Sequence, residues 1–291
     1  MRWAFPAAAV LGAATLCAQA PAAPDVDTLL ANVSHRIEQY YRRAQQIVCL
    51  EKATVIPISS DFGPAGFARI TESELRVEPD GEDVDTPTSA KLVREIIKIN
   101  GRRPSDKDKK DRSRCTDPNP LTPEPLAFLL PANREGYTFA SGGPGKGRDR
   151  GALILEFSTE KSRGEGKLNE DPRGIEDCFG FSVASAWKGR IWVDAATYDV
   201  LRIEQRLSGP GDIAVTFAQQ RKHNLPSSIT VERYDTTIKY KTIAFTDPEE
   251  TMLLPESIET VSMIRNGLVS TRRHQEYSGY RRFLTAGRIV K

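Results

Sequence analysis

The sequence predicts an α+β fold: one large, curved antiparallel sheet with its helices grouped on one side. Three observations predict it. An amphipathic helical period stands near the start of the chain, period-two alternation dominates most of the remaining residues, and Asn-Gly steps suited to two-residue hairpins interrupt that alternation twice. Roughly ten to twelve strands are expected, more than a flat open sheet usually holds without curling. Neither a repeat nor a linker divides the chain, so residues 19–291 are expected to form one domain behind a leader at 1–18.

The leader comes first. Arg2 is the only charge before Asp25, an apolar run extends from Trp3 to Leu16, and small residues come next. A basic start, an apolar middle and a small-residue exit describe a secretory signal. The run is short for a membrane span. Cleavage after Ala18 is preferred to cleavage after Ala20, which would leave Pro21 just behind the cut. The chain is therefore expected to be exported, to the periplasm, with no transmembrane span once the leader is gone. Lipid anchoring through Cys17 is the alternative, and the bulky Leu16 before it argues against that processing.

Leu30, Val33, Ile37, Tyr40, Tyr41, Ala44 and Ile47 recur at spacings of three and four, which predicts a helix with these on one face and Asp25 or Asp27 as its cap. From Cys49 to Ile56 the period is two. Residues 67–77 alternate, with Phe67, Leu75 and Val77 on one side and Ile70 on the other. Lys91 to Ile99 reads as a strand with Val93, Ile97 and Ile99 on one face, ending at Asn100-Gly101. Arg102 to Arg114 then holds seven basic and three acidic residues. A solvated loop is the plain reading, and a patch for anionic lipid heads or acidic partners the sharper one. Thr122-Pro123-Glu124 gives a helix cap, a first-turn proline and an acid, which predicts a short apolar helix through Leu126, Phe128, Leu129 and Leu130, limited by Pro131.

Strands are expected at 136–140 and 151–157, with a flexible loop at 141–150 and a polar loop at 159–177. Lys188-Gly189 can turn a hairpin; 190–194 and 200–206 flank a turn at 195–199. Further strands are expected at 212–217, 229–245, 252–264 and 268–280, the last two joined at Asn266-Gly267.

The near-neutral balance, 41 basic against 39 acidic residues, argues against nucleic-acid binding. A mean hydropathy of −0.44 excludes a multi-span membrane protein. His35, His223 and His274 lie in no metal-binding or H-E-x-x-H setting. With no C-x-x-C either, no metal and no cofactor are expected. Ser141 to Arg150 lacks the first Gly and the Ser or Thr of a phosphate loop, and the segment from Gly180 to Ala184 lacks the second Gly of a nucleophile elbow. Glu249 and Glu250, adjacent at a turn, are expected to point apart into solvent. No enzyme is expected. Asn32-Val33-Ser34 falls inside the predicted helix and is read as a chance sequon. Arg272, Arg273, Arg281 and Arg282 read as charge protecting an edge strand. Three cysteines lie beyond the leader. Cys115 and Cys178 lie in polar, turn-rich stretches and are the first choice for a disulfide; Cys49–Cys115 stays open, and Cys49 otherwise reads as a small buried residue.

Two stretches carry a family resemblance. Gly189 to Glu204, GRIWVDAATYDVLRIE, and Phe245 to Phe283, with its Leu-Pro step, paired strands and Tyr277/Tyr280 ending, resemble exported proteins of the periplasmic lipoprotein-carrier (LolA/LolB-like) superfamily. The leading helix fits too. The resemblance implies a half-open barrel whose concave side is covered by the N-terminal helix and the short apolar helix. It implies an apolar groove between them for an acyl chain, and no enzyme activity. This chain is longer than the carriers, and its charged loops and extra cysteines depart from them. The expected function is an exported, non-enzymatic binding protein for a lipid, lipoprotein acyl chain or other apolar ligand. Leu126, Phe128, Leu129 and Leu130 would serve as its cover and Trp192 as a groove residue. The alternative is an envelope module that meets a protein partner or senses stress, with peripheral membrane contact left open; an unrecognised hydrolase ranks below both.

Overall fold

The computed structural model describes residues 25–44, 47–80, 89–108, 112–123, 125–160, 165–246 and 249–282. The leader, Cys17 and Glu124 lie outside the described residues.

Helix α1 (Val26–Ala44) opens the described chain. Asp25 caps it, accepting from the Thr28 amide at 3.0 Å. Its buried face is Leu29, Leu30, Val33, Ser34, Ile37, Tyr41 and Ala44. Burial of each large apolar side chain contributes about 1.5–3 kcal/mol, which holds the helix to the sheet. Ile47, expected on that face, instead begins the first strand.

The strands are β1 (Ile47–Pro57), β2 (Arg69–Asp80), β3 (Ser89–Ile99), β4 (Leu121–Pro123), β5 (Tyr137–Pro144), β6 (Ala152–Thr159), β7 (Gly166–Glu170), β8 (Phe179–Ser182), β9 (Trp187–Asp194), β10 (Val200–Leu207), β11 (Gly211–Ala214), β12 (Ser228–Thr246), β13 (Glu249–Arg265) and β14 (Thr271–Arg282). All fourteen join one open, curved sheet, exceeding the expected count. Its main path runs β4-β3-β2-β1-β14-β13-β12-β10-β9-β6-β5, with β11, β7 and β8 branching from β12. Every pairing is antiparallel except β11 with β7. The fold is α+β, as expected.

Several expectations are corrected. The polar loop at 159–177 contains β7. Lys188-Gly189 lies within β9, where a Cβ at Gly189 would come 2.2 Å from the Glu204 carbonyl and 2.5 Å from the Phe157 ring. That position needs glycine because a ring lies on it, and no chain reversal occurs there. The strand expected at 212–217 ends at Ala214; Phe217 begins helix α2 (Phe217–His223), set by a capping box of Thr216 and Gln219. Phe67 precedes β2 and is fully exposed. On β3 the buried side chains are Leu92, Arg94 and Ile99, not the Val93/Ile97 face; a bulge opposite Glu72/Ser73 breaks the alternation. β14 is no edge strand, since β1 and β13 pair with it on either side. The segment from Leu126 to Leu130 forms no α-helix. It makes 3₁₀ turns at Ala127–Leu129 and Pro131–Asn133, separated by an extended Leu130, which precedes Pro131. Thr122-Pro123, expected to cap it, belongs to β4.

Positive φ at Asn100, Gly101, Asn266 and Gly267 lets both Asn-Gly steps bend the chain. Asn100-Gly101 turns tightly between Ile99 and Arg102. At Asn266-Gly267 the expected two-residue hairpin is instead a five-residue connection, 266–270, and β14 begins at Thr271 rather than Leu268. Cys115 and Cys178 form the disulfide, and Cys49 is free and buried.

Candidate functional site

Register places one face of the sheet under α1. Cys49 of β1 lies opposite Leu75 of β2, and Leu92 of β3 opposite Val77. Ile191, Ile203 and Ile238 align across β9, β10 and β12. Cross-strand partners share a face, so these residues present one apolar surface toward the helix. Together with the α1 stripe they make the main core.

That core is not completely filled. Between the C-terminal half of α1 and the sheet lies a cavity walled by Tyr40, Ala44, Ile47, Cys49, Leu75, Val77 and Leu92 on one side. Ile238, Tyr240, Leu254, Ile258, Tyr277 and Tyr280 wall the other. Its volume is about 30 Å³, room for little more than a water molecule. A wall so apolar suits hydrocarbon and offers water few partners.

Two of its tyrosine hydroxyls are hydrogen-bonded to the protein. Tyr280 OH donates to the Pro255 carbonyl at 2.5 Å, and Tyr277 OH to Glu51 Oε1 at 3.1 Å. Burial, with the Glu51 carboxylate adding to it, pushes the Cys49 thiol up to about 12. Burial likewise raises both tyrosines. All three groups stay neutral at physiological pH, so the cavity holds no thiolate or other charged nucleophile.

The same sheet face turns polar farther along β1. Glu51 is buried. It accepts from Arg94 Nε at 2.6 Å and from Gln275 Nε2 at 2.7 Å. Burial disfavours the Arg94 charge, and Glu51 beside it more than restores it. Arg69 pairs with Asp117 through both Nε and Nη2, both side chains being buried. A strap over residues 114–122 closes this region. Arg94 donates to the Asn119 carbonyl and Thr122 Oγ1, and Arg273 to the Thr116 carbonyl at 3.2 Å. The Cys115–Cys178 disulfide fastens the strap to the segment where Arg173 pairs with Asp171.

The residues singled out in the sequence stand around this site unevenly. Leu126, Leu129 and Leu130 are buried against α1 and Phe128 is half-buried. Phe128 packs with Tyr137 and Phe157, each ring centroid 5.2 Å away. These four adjoin the cavity without lining it; of this segment, Pro125 reaches the wall. Arg134 ties the segment to α1, donating to the Leu129 carbonyl at 2.9 Å and the Leu30 carbonyl at 2.8 Å. Trp192 is buried on the opposite face of the sheet. Its neighbours Ile191 and Val193 point toward α1, while Arg202 stacks 3.7 Å over its ring. The cavity walls on β1, β2 and β14 were signalled only by their period-two apolar positions.

The histidines make local contacts. His223, the last residue of α2, meets Asp177 Oδ1 at 2.7 Å and packs against Phe179. His274 lies between Glu259 and Glu276, and His35 beside Gln39. Glu250 does not point into solvent; it pairs with Arg43 at 2.9 Å and Arg282 at 2.6 Å. Among the described residues no cluster of His, Cys, Asp and Glu could hold a metal ion, and no helix is long and apolar enough to cross a membrane.

No family model and no curated protein matches this chain. Three solved structures are similar over 90% of it and 94% of their own length. A LolA superfamily protein from Nitrosomonas europaea shares 9% identity at a TM-score of 0.36. A DUF1329 family protein from Desulfovibrio piger shares 9% at 0.41. A Vibrio parahaemolyticus domain described as an outer membrane lipoprotein-sorting protein shares 11% at 0.34. The chain is thus similar to LolA superfamily, DUF1329 and lipoprotein-sorting structures, at this low level in each case.

Proposed function

We propose that the chain is an exported, non-catalytic binding protein that takes an apolar ligand, a lipid or lipoprotein acyl chain, between α1 and the sheet. The observation that carries this reading is the incompletely filled, almost wholly apolar space at that interface. With room for little more than water, the cavity describes a closed state. A ligand then enters by parting the C-terminal half of α1 from β1, β2 and β3, with the 125–130 segment moving alongside. The leader at 1–18 supplies the export signal in this reading, and the periplasm is the compartment.

The test is binding of cis-parinaric acid, whose fluorescence rises on transfer to an apolar site. The parent chain is expected to give a saturable rise. Val77→Trp, which fills the cavity, should abolish that rise without changing the far-UV circular dichroism. A parent that gives no saturable signal, or a filled variant that binds as well as the parent, overturns the reading. The tightness of the interface favours one competing reading, an envelope module that meets a protein partner and carries no ligand. Failure of the parinaric titration combined with a stable crosslinked partner would support it.

A further inference from the structure

Among the described residues five large apolar side chains are exposed, and four of them collect at one end of the sheet. They are Phe67 at 100%, Phe217 at 71%, Val269 at 63% and Phe62 at 38%. Register fixes their common location. β1 ends where β2 begins, with Val55 opposite Arg69, so the 58–68 connection carrying Phe62 and Phe67 lies at that end. Pro57 lies opposite Thr271, so the β13–β14 connection carrying Val269 lies beside it, joined by the bond from the Ile58 amide to the Ser270 carbonyl. β12 begins at the same end, with Thr230 opposite Arg265. Ala214 of β11 lies opposite Ser228, so the chain leaves β11 there and α2 places Phe217 beyond the strand ends. Exposed apolar side chains scattered singly are ordinary; four of five at one end are a patterned feature.

The charge at this end complements an anionic surface. β3 also ends here, and the basic segment that starts at Arg102 leaves from it. Arg103, Lys107, Arg221 and Arg272 are exposed and have no carboxylate partner among the described residues. Arg221 stacks on Phe217 and Arg233 on Phe62, setting a cation beside each ring. The carboxylates nearby are largely engaged: Ser59 bonds Asp61, Arg265 pairs with Glu232 and Arg102 with Asp108; Asp106 and Asp111 are the further acids of the basic segment, which is net basic by four. Aromatic tips flanked by basic side chains match the interface of a bilayer, where rings sit at headgroup depth and cations meet anionic lipids.

We propose that this end of the sheet docks onto the surface of an anionic lipid bilayer, with Phe67, Phe217 and Val269 inserting and Arg103 and Arg272 lying against the headgroups. The proposal does not require the cavity to hold a ligand.

The experiment is co-sedimentation of the full chain with phosphatidylglycerol–phosphatidylethanolamine vesicles, against vesicles of phosphatidylcholine alone. The leader is common to every variant and cancels in their comparison. The parent is expected to bind the anionic vesicles and to be released as salt rises. The triple variant Phe67→Ser/Phe217→Ser/Val269→Ser should bind about tenfold or more weakly. Arg103→Ser/Arg272→Ser should flatten the salt dependence. All three side chains of the triple variant are exposed, so its thermal melt and its parinaric acid titration should match the parent, separating loss of docking from misfolding and from loss of the cavity. Equal binding to both vesicle types, no binding to either, or an unchanged triple variant overturns the proposal. If this end serves a protein partner instead, the parent does not sediment with vesicles.

Discussion

The sheet face beneath α1 has two halves that bury different chemistry at similar depth. Around Cys49, Leu75, Val77 and Leu92 it is hydrocarbon, covered by α1 and incompletely filled. A few residues along the same strands it holds Glu51, Arg94, Arg69 and Gln275 under the 114–122 strap. The apolar half is held mostly by buried surface: parting the C-terminal half of α1 breaks the half-exposed Arg43–Glu250 pair and the Arg43 bond to the Thr251 carbonyl, and otherwise exposes hydrocarbon. The polar half would expose or orphan charges if its strap lifted, which makes it the rigid partner. On the proposed reading, the first half opens and the second holds the sheet in shape.

The largest expected effect breaks the polar half. Glu51→Ala leaves Arg94 buried without its carboxylate and should cost about 3–5 kcal/mol in urea unfolding. Replacing the pair by Glu51→Leu/Arg94→Met should recover most of that loss. If the single variant costs no more than an exposed ion pair does, the rigid-partner role is wrong. Next comes Leu129→Ala, which removes a fully buried side chain between α1 and the 3₁₀ turns. A loss of about 2–5 kcal/mol is expected, and parinaric acid binding should persist or strengthen as the cover loosens. Weaker binding at unchanged occupancy of the fold would mean that Leu129 forms part of the ligand wall.

The disulfide tests the strap alone. Cys115→Ser/Cys178→Ser opens a loop closed over a sequence separation of 63 and should cost about 2–4 kcal/mol. Hydrogen exchange should rise in residues 114–122 and stay unchanged in α1. A rise in α1 as large as that in the strap would show that the two halves open together.

These contrasts were only partly legible in the sequence. Local signals carried well: the Asp25 cap, the α1 stripe, the Asn100-Gly101 turn and the Cys115–Cys178 pairing stand where the residues put them. Signals that depend on a distant partner did not carry. Hydropathy turns Val93 inward and Arg94 outward, yet Glu51, 43 residues away, draws Arg94 into the interior. Ile191, Trp192 and Val193 are all apolar and all buried, so alternation alone leaves the face of Trp192 undecided. The five-residue apolar run after Pro125 has too little length between prolines for an α-helix, and 3₁₀ turns answer the same composition. The cavity escaped because its wall is assembled from α1 and strands spread from β1 to β14.

The smallest expected effects separate the halves by pH. Arg173 holds the Asp171 carboxyl below its ordinary 3.8. That contribution is complete above 3.8 and is lost as pH falls from there through the lowered folded value, so acid should loosen the disulfide-linked segment. Cys49 has the opposite sign: its folded value of about 12 stands above the ordinary 9.0. That contribution is complete below pH 9 and is lost as pH rises from 9 toward 12, with Tyr277 and Tyr280 acting in the same direction. Iodoacetamide should therefore leave Cys49 unmodified in the folded chain near neutral pH and begin to alkylate it as the alkaline transition starts. Exchange in residues 171–178 should respond on the acid side alone. Rapid alkylation at neutral pH would instead mean that α1 already parts from β1 without ligand, placing the open state within reach of thermal motion.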